Sequence, residues 1–167
     1  LDTKNLLKEI KAKAPKVSAF AVASYFATRN PEHEIIAREY IRKYVGMPVS
    51  CSYELSASLG GPKRALTAFL NAKLISLIET LINATRQQMQ KIGLNCKLMV
   101  VKGDGSLVSA EFAKERPVET ILSGPAASVS GAAYLANENT AIVCDIGGTT
   151  TDIALLKDGS IDLSSVS

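Results

Sequence analysis

The sequence predicts an α/β fold: a mixed, mostly parallel sheet flanked by helices and ending in a β-hairpin. Three observations carry that prediction. Apolar runs of strand length alternate with segments of helical period through about residue 137, the order that parallel strands and helical crossovers produce. The run Val17-Ser18-Ala19-Phe20-Ala21-Val22-Ala23 is small and nearly continuously apolar, as in a strand covered on both faces. Towards the C-terminus, Ala141-Ile142-Val143-Cys144 and Ile153-Ala154-Leu155-Leu156 flank a short polar loop, the pattern of two antiparallel strands.

Each element has a local reason. Asp2 to Ala14 reads as a helix with Leu6, Leu7 and Ile10 on its apolar stripe, Asp2 or Thr3 as cap and Pro15 as stop. After the first strand, Asn30 and Pro31 open an amphipathic helix that runs through Tyr44 and ends at Gly46. Val49 to Leu55 is a second strand. Gly60-Gly61-Pro62 starts the longest helix, Lys63 to about Lys91, with Leu66, Phe69, Leu70, Leu74, Leu77, Ile78, Leu81 and Ile82 at helical spacing. Lys97 to Lys102 is a third strand, and Gly103-Asp104-Gly105 its turn. A short helix follows from Ser109 to Arg116, then one from Ser123 to about Asn137. The second is rich in Ala, Ser and Gly, as for close packing, and Gly131 is expected to sit against a neighbouring backbone. Residues 1–138 are expected to form the α/β part, and 139–167 the truncated start of a second lobe carrying the hairpin.

Composition narrows the function classes. A chain of 167 residues buries a real core. With 47% hydrophobic and 21% charged residues it is ordinary globular protein. A net charge of +3 and 5% aromatics without tryptophan argue against nucleic acid. The three cysteines, Cys51, Cys96 and Cys144, lack zinc-type spacing and fit a reducing cytoplasm. Lys, Glu or Asn interrupts each long apolar stretch, so no membrane span is expected. The chain begins at Leu1 rather than Met, which reads as an internal piece of a longer protein.

The loop of the hairpin carries the chemistry: Asp145-Ile146-Gly147-Gly148-Thr149-Thr150-Thr151-Asp152. Two glycines let a backbone approach a ligand and direct amides at it. Thr149, Thr150 and Thr151 add hydroxyl donors. Carboxylates at both ends suit a hydrated magnesium ion. These parts fit the β- and γ-phosphates of a nucleotide. Asp145 leaves its strand at the C-terminal end, where α/β sheets bind ligands; it would hold the metal, or else act as a turn-forming Asx residue. Asp152 would orient the loop, or position a water or substrate.

The loop resembles the phosphate loops of the actin, Hsp70 and sugar-kinase superfamily. Further motifs narrow the resemblance: Asn30-Pro31-Glu32-His33-Glu34, Gly103-Asp104-Gly105-Ser106-Leu107, and Arg116-Pro117-Val118-Glu119-Thr120-Ile121-Leu122-Ser123-Gly124-Pro125-Ala126-Ala127. In this order they resemble the hydantoinase A/5-oxoprolinase family from about Ala19 to Gly159. Many members have Asn-Gly-Gly where this chain has Gly103-Asp104-Gly105. The resemblance implies an actin/Hsp70-like, ribonuclease H-like core, and a parent enzyme that hydrolyses cyclic amides such as hydantoins or oxoproline with ATP and magnesium. It also implies a possible hydantoinase B-type partner subunit, and no activity for this piece alone. A nucleotide-gated chaperone-like module is the alternative.

Other candidates are weaker. Gly103, Asp104 and Gly105 are substrate candidates through the resemblance. Ser123 and Gly124 begin a helix whose free amides suit an anion. Lys63 and Arg64 oppose the dipole of the longest helix, so a nearby anion is expected: an acidic side chain, a phosphate or a substrate carboxylate. His33 is the only histidine, and its spacing from Glu32 and Glu34 does not make a metal site.

Overall fold

The computed structural model describes residues 1–162. They form two compact units: Leu1–Leu94 with Lys114–Val118, and Asn95–Ala113 with Glu119 onward. The break expected between residues 138 and 139 falls at none of the three crossings, because the terminal hairpin folds with the helix before it.

The first unit is a β-α-β core with three added α-helices. Helix α1 (Thr3–Lys13) starts where the Asp2 carboxylate accepts the Asn5 amide at 3.1 Å. Strand β1 (Phe20–Val22), helix α2 (Glu32–Val45) and strand β2 (Val49–Cys51) follow. The strands pair in parallel, Phe20 opposite Val49 and Val22 opposite Cys51. The Asn30 side chain accepts the Glu32 amide at 3.0 Å, and Gly46 ends α2 in the left-handed region. All of β2 is buried, but β1 keeps Ala21 exposed; cover on both faces belongs to the second strand, not the first. The strand expected through Leu55 stops at Cys51, and α3 (Ser52–Leu55) is one helical turn. The Glu34 carboxylate explains the switch. It takes the Ser52 hydroxyl at 2.7 Å and the Tyr53 amide at 3.2 Å, satisfying donors that a helix start leaves open. Ile10, Ile41, Val49 and Cys51 form the centre of this core.

Helix α4 (Gly61–Lys91) has 31 residues and packs on β1 and β2. Its buried stripe shares Ile82 with the predicted one, and Leu70, Leu74 and Ile78 of that prediction are half-buried. Arg64, Ala68, Asn71, Ala72 and Ile82 face in, whereas Leu66, Phe69, Leu77 and Leu81 are exposed. Small residues let the helix approach the sheet closely, and four of the larger apolar side chains fall on the outer face. Asn71, Lys73 and Glu79 interrupt the apolar run of this helix as expected. By length and composition alone it is apolar enough to cross a membrane.

The second unit begins with β3 (Met99–Val101) and β4 (Leu107–Ser109), an antiparallel hairpin. Helix α5 (Ala110–Glu115) starts where the Ser109 hydroxyl accepts the Phe112 amide at 3.2 Å. Helix α6 (Ser123–Ala136) packs on a three-stranded antiparallel sheet of β5 (Ala141–Ile146), β6 (Thr151–Lys157) and β7 (Ser160–Ile161). The mostly parallel sheet is therefore corrected to three small sheets, of which only β1–β2 is parallel among the described residues. The reason is connection length. A turn as short as Lys102–Ser106 returns a strand antiparallel, whereas parallel pairing needs a crossover such as α2. Gly131 is also corrected: a Cβ there would meet nothing within 4 Å, so its helix face is open.

Candidate functional site

The hairpin of β5 and β6 places its two aspartates directly opposite one another. Asp145 pairs with Asp152, Val143 with Ala154 and Ala141 with Leu156. Side chains alternate across a strand, so these residues share one face. Ile142, Cys144, Ile146 and Ile153 share the other and are exposed. Like charges directly opposite weaken a strand pair. Neither aspartate has an ion-pair partner among the described residues.

Gly147 to Thr150 close the hairpin, and the Gly147 amide donates to the Thr150 carbonyl at 2.9 Å. The amides of Gly148 and Thr149 meet no protein acceptor among the described residues. A Cβ on Gly148 would touch nothing within 4 Å, so the space over the loop is open. Thr151 opens β6 opposite Ile146, on the face away from Asp145 and Asp152.

Beside the aspartates lies a cavity of about 170 Å³, walled by Gly103, Leu122, Pro125, Val129, Val143 and Ala154. Gly103 reaches it through a contact that no other residue would permit. Its amide donates to the Glu119 carbonyl at 2.8 Å, and a Cβ would lie 2.3 Å from the Ile121 carbonyl oxygen. Gly103→Ala is expected to destabilise the chain by about 1–3 kcal/mol through overpacking against backbone. A denaturation midpoint unchanged from wild type would refute that contact. Leu122 stands just before α6 with φ 62°, a strained conformation for a bulky residue. Ser123 and Gly124 begin α6, and Pro125 and Ala126 of its first turn line the cavity.

Asp104 serves the turn. The Ser106 hydroxyl and amide donate to its carboxylate at 2.6 and 2.9 Å, and Lys102 approaches at 3.0 Å. Led by Ser106, these partners hold its pKa down at about 2 against an ordinary 3.8. A depressed value means the stabilisation is full above the ordinary pKa and is lost as pH falls through about 2. Carbon NMR of the Asp104 carboxyl is expected to show that low midpoint; titration near the ordinary value would count against the turn network.

Lys63 and Arg64 lie in the first unit, and the anion expected near them is not what Arg64 meets. Arg64 is 1% exposed and donates to the carbonyls of Ser58, Ser24 and Tyr25 at 2.7, 2.9 and 2.8 Å. Glu34, fully buried, accepts the Ser24 amide at 2.6 Å. Sequence reasoning missed Glu34 as a structural acceptor, although its place in the first turn of α2 was visible. It also missed Asn71, whose amide group joins the Ser50 hydroxyl, the Glu115 carbonyl and the Val118 amide at 3.0–3.1 Å. Cys51 is buried, and burial first, then Glu54 and Glu34, push its pKa up to about 12; it is an inert thiol. No cluster of three metal-ligating side chains occurs among the described residues. The aspartate pair nonetheless fits magnesium, which binds through one or two carboxylates, water and substrate phosphates.

Comparison with known proteins places these features in a lineage. Residues 64–166 match the family model described as hydantoinase/oxoprolinase. The acetophenone carboxylase gamma subunit of Aromatoleum aromaticum is 30% identical over 152 residues, covering 86% of this chain and 20% of that protein. The caprolactamase subunit alpha of Pseudomonas jessenii is 28% identical, covering 89% of this chain and 22% of that one. The crystal structure of the ATP-dependent caprolactamase from Pseudomonas jessenii superposes with a TM-score of 0.82 at 27% identity, covering 94% of this chain and 23% of that one. The chain thus spans about a fifth of the length of the curated relatives it matches.

Proposed function

Because the chain belongs to the hydantoinase/oxoprolinase family, we propose that its β5–β6 hairpin is a nucleotide phosphate site within an ATP-dependent amidohydrolase. The observation that carries this reading is the pair Asp145 and Asp152, opposed across a hairpin whose Gly148 and Thr149 amides have no described protein acceptor. The ATP-dependent caprolactamase among its relatives supports the use of ATP and a cyclic amide as substrate. Relatives that are enzyme subunits disfavour the chaperone-like alternative and support a partner subunit, here of hydantoinase B type.

Each residue has a defined task in this reading. The amides of Gly148, Thr149 and Thr150 bind phosphate oxygens, with the threonine hydroxyls beside them. Asp145, with Asp152 opposite, would hold magnesium, which when bound neutralises charge on the phosphates. Asp152 also fixes the loop end from the second strand. Phosphorylation of the amide oxygen would make the ring carbonyl a better electrophile for water.

Gly148→Val tests the site. Nothing in the protein would clash with the new side chain, so the fold is expected to survive. ATP binding with magnesium, measured by calorimetry, is expected to disappear because the side chain occupies the phosphate position. Wild-type nucleotide affinity in a folded Gly148→Val variant would sink the proposal.

A further inference from the structure

Strand β1 is bonded along one side only. The Phe20 amide donates to the Pro48 carbonyl at 2.9 Å, and Phe20 lies opposite Val49. In a parallel pair, alternate residues of a strand send both of their backbone groups to the partner. Phe20 and Val22 therefore bond β2, and the amides and carbonyls of Ala19 and Ala21 point to the opposite side. No third strand joins β1 and β2 among the described residues. An open strand edge is a template for a further strand.

A groove of about 300 Å³ lies beside these residues, walled by Lys16, Val17, Ala19, Ala21, Phe69 and Lys73. Helix α4 supplies the Phe69 ring, which is 56% exposed. The strand supplies only methyl groups, so the groove has room for a larger side chain than its own. Lys16 and Lys73 are exposed, and neither has an ion-pair partner among the described residues. No Asp or Glu among those residues lines the groove. Unpaired backbone, an apolar wall and two uncompensated cations thus meet at one place.

We propose that the free edge of β1 takes an extended segment of a different polypeptide, in which an apolar side chain stands between two acidic ones at every second position. Residues two apart in a strand share one face, so all three side chains turn to the groove together. The backbone of the segment pairs with Ala19 and Ala21, its apolar side chain packs on Phe69, and its carboxylates meet Lys16 and Lys73. A fatty carboxylate would answer the lysines and the ring but make no use of the open backbone. A second copy of β1 would bring the same lysines against each other, and like charges repel.

Amide NMR of the chain with the peptide Ac-Glu-Thr-Ile-Thr-Glu-amide tests the edge, with Ac-Lys-Thr-Ile-Thr-Lys-amide as control. The Ala21 amide signal is expected to move downfield saturably with the first peptide, and its hydrogen exchange to slow as the new bond forms. The control should bind roughly tenfold more weakly. Reversing both cations (Lys16→Glu with Lys73→Glu) should exchange the preference between the two peptides, which a merely structural change would not do. Ala21→Pro removes the amide at an edge, where proline is tolerated, and should abolish binding. The thermal midpoint verifies the fold of each variant, and the charge reversal decides the matter if Ala21→Pro does not fold. No saturable shift at Ala21, equal affinity for the two peptides, or an unchanged preference after charge reversal would each overturn the proposal. So would an Ala21 amide already protected before peptide is added, in this chain or in a longer form of the protein, because another segment would then hold the edge.

Discussion

Asp145→Asn is expected to leave the chain as stable as wild type, or slightly more stable, while lowering ATP turnover of the enzyme by about 10²–10³-fold. The two halves of this result have one cause. Asp145 sits directly opposite Asp152 on adjacent strands, with no ion-pair partner for either among the described residues. Removing one of two opposed like charges relieves about 0.2–1 kcal/mol of repulsion. A carboxylate kept for the fold would behave in the opposite way. Under the proposed function the same pair would hold magnesium beside the phosphates, and neutralising one carboxylate would remove transition-state stabilisation. Denaturation midpoint and ATP hydrolysis should be measured on the same preparation. A variant that melts early, with activity lost in proportion to its folded fraction, makes Asp145 structural. Asp152→Asn separates the roles open for the second carboxylate: a small loss of turnover assigns it to orienting the loop.

Local signals in the sequence located most elements, and tertiary contacts decided where that reading failed. Asp2 and Ser109 cap their helices as their residue types suggest, Asn30 accepts the Glu32 amide where another begins, and Gly46 ends that one. The hairpin register follows from alternation around the Asp145–Asp152 loop. The second strand was overextended because Ser52 and Tyr53 look strand-compatible. Only the fold brings Glu34 to them, and Glu34 is eighteen and nineteen positions away. The long helix meets the sheet with only part of the expected stripe, for a related reason. A helical period identifies an apolar stripe but not which stripe meets the sheet, and Ala68 and Ala72 won over Leu66 and Leu77. The substrate candidates divide likewise. Gly103 walls the cavity beside Asp145, whereas Asp104 holds its own turn and Arg64 binds backbone in the first unit. No residue pattern distinguishes an arginine facing an anion from one facing three carbonyls.

Arg64→Ala is expected to destabilise the chain by about 3–5 kcal/mol, the range seen when one partner of a buried charged network is removed. Arg64 is almost wholly buried, and its guanidinium is a donor to the Ser24, Tyr25 and Ser58 carbonyls. Truncation leaves these part-buried acceptors short of a partner, at about 1–3 kcal/mol for each group that water cannot reach. Arg64→Lys should recover only part of the loss, because an ammonium lacks the planar fork that reaches three acceptors together. The effect should also depend on Glu34, which holds the amide of the same Ser24 residue. Once Glu34→Gln has loosened that loop, the Arg64→Ala substitution should cost less, so the two changes should be less than additive. Urea denaturation of the four chains in this cycle measures both claims. An Arg64→Ala midpoint within about 0.5 kcal/mol of wild type, the range of ordinary surface changes, would show that water replaces the guanidinium. Full additivity with Glu34→Gln would show that the two groups hold Ser24 independently and do not form one clamp.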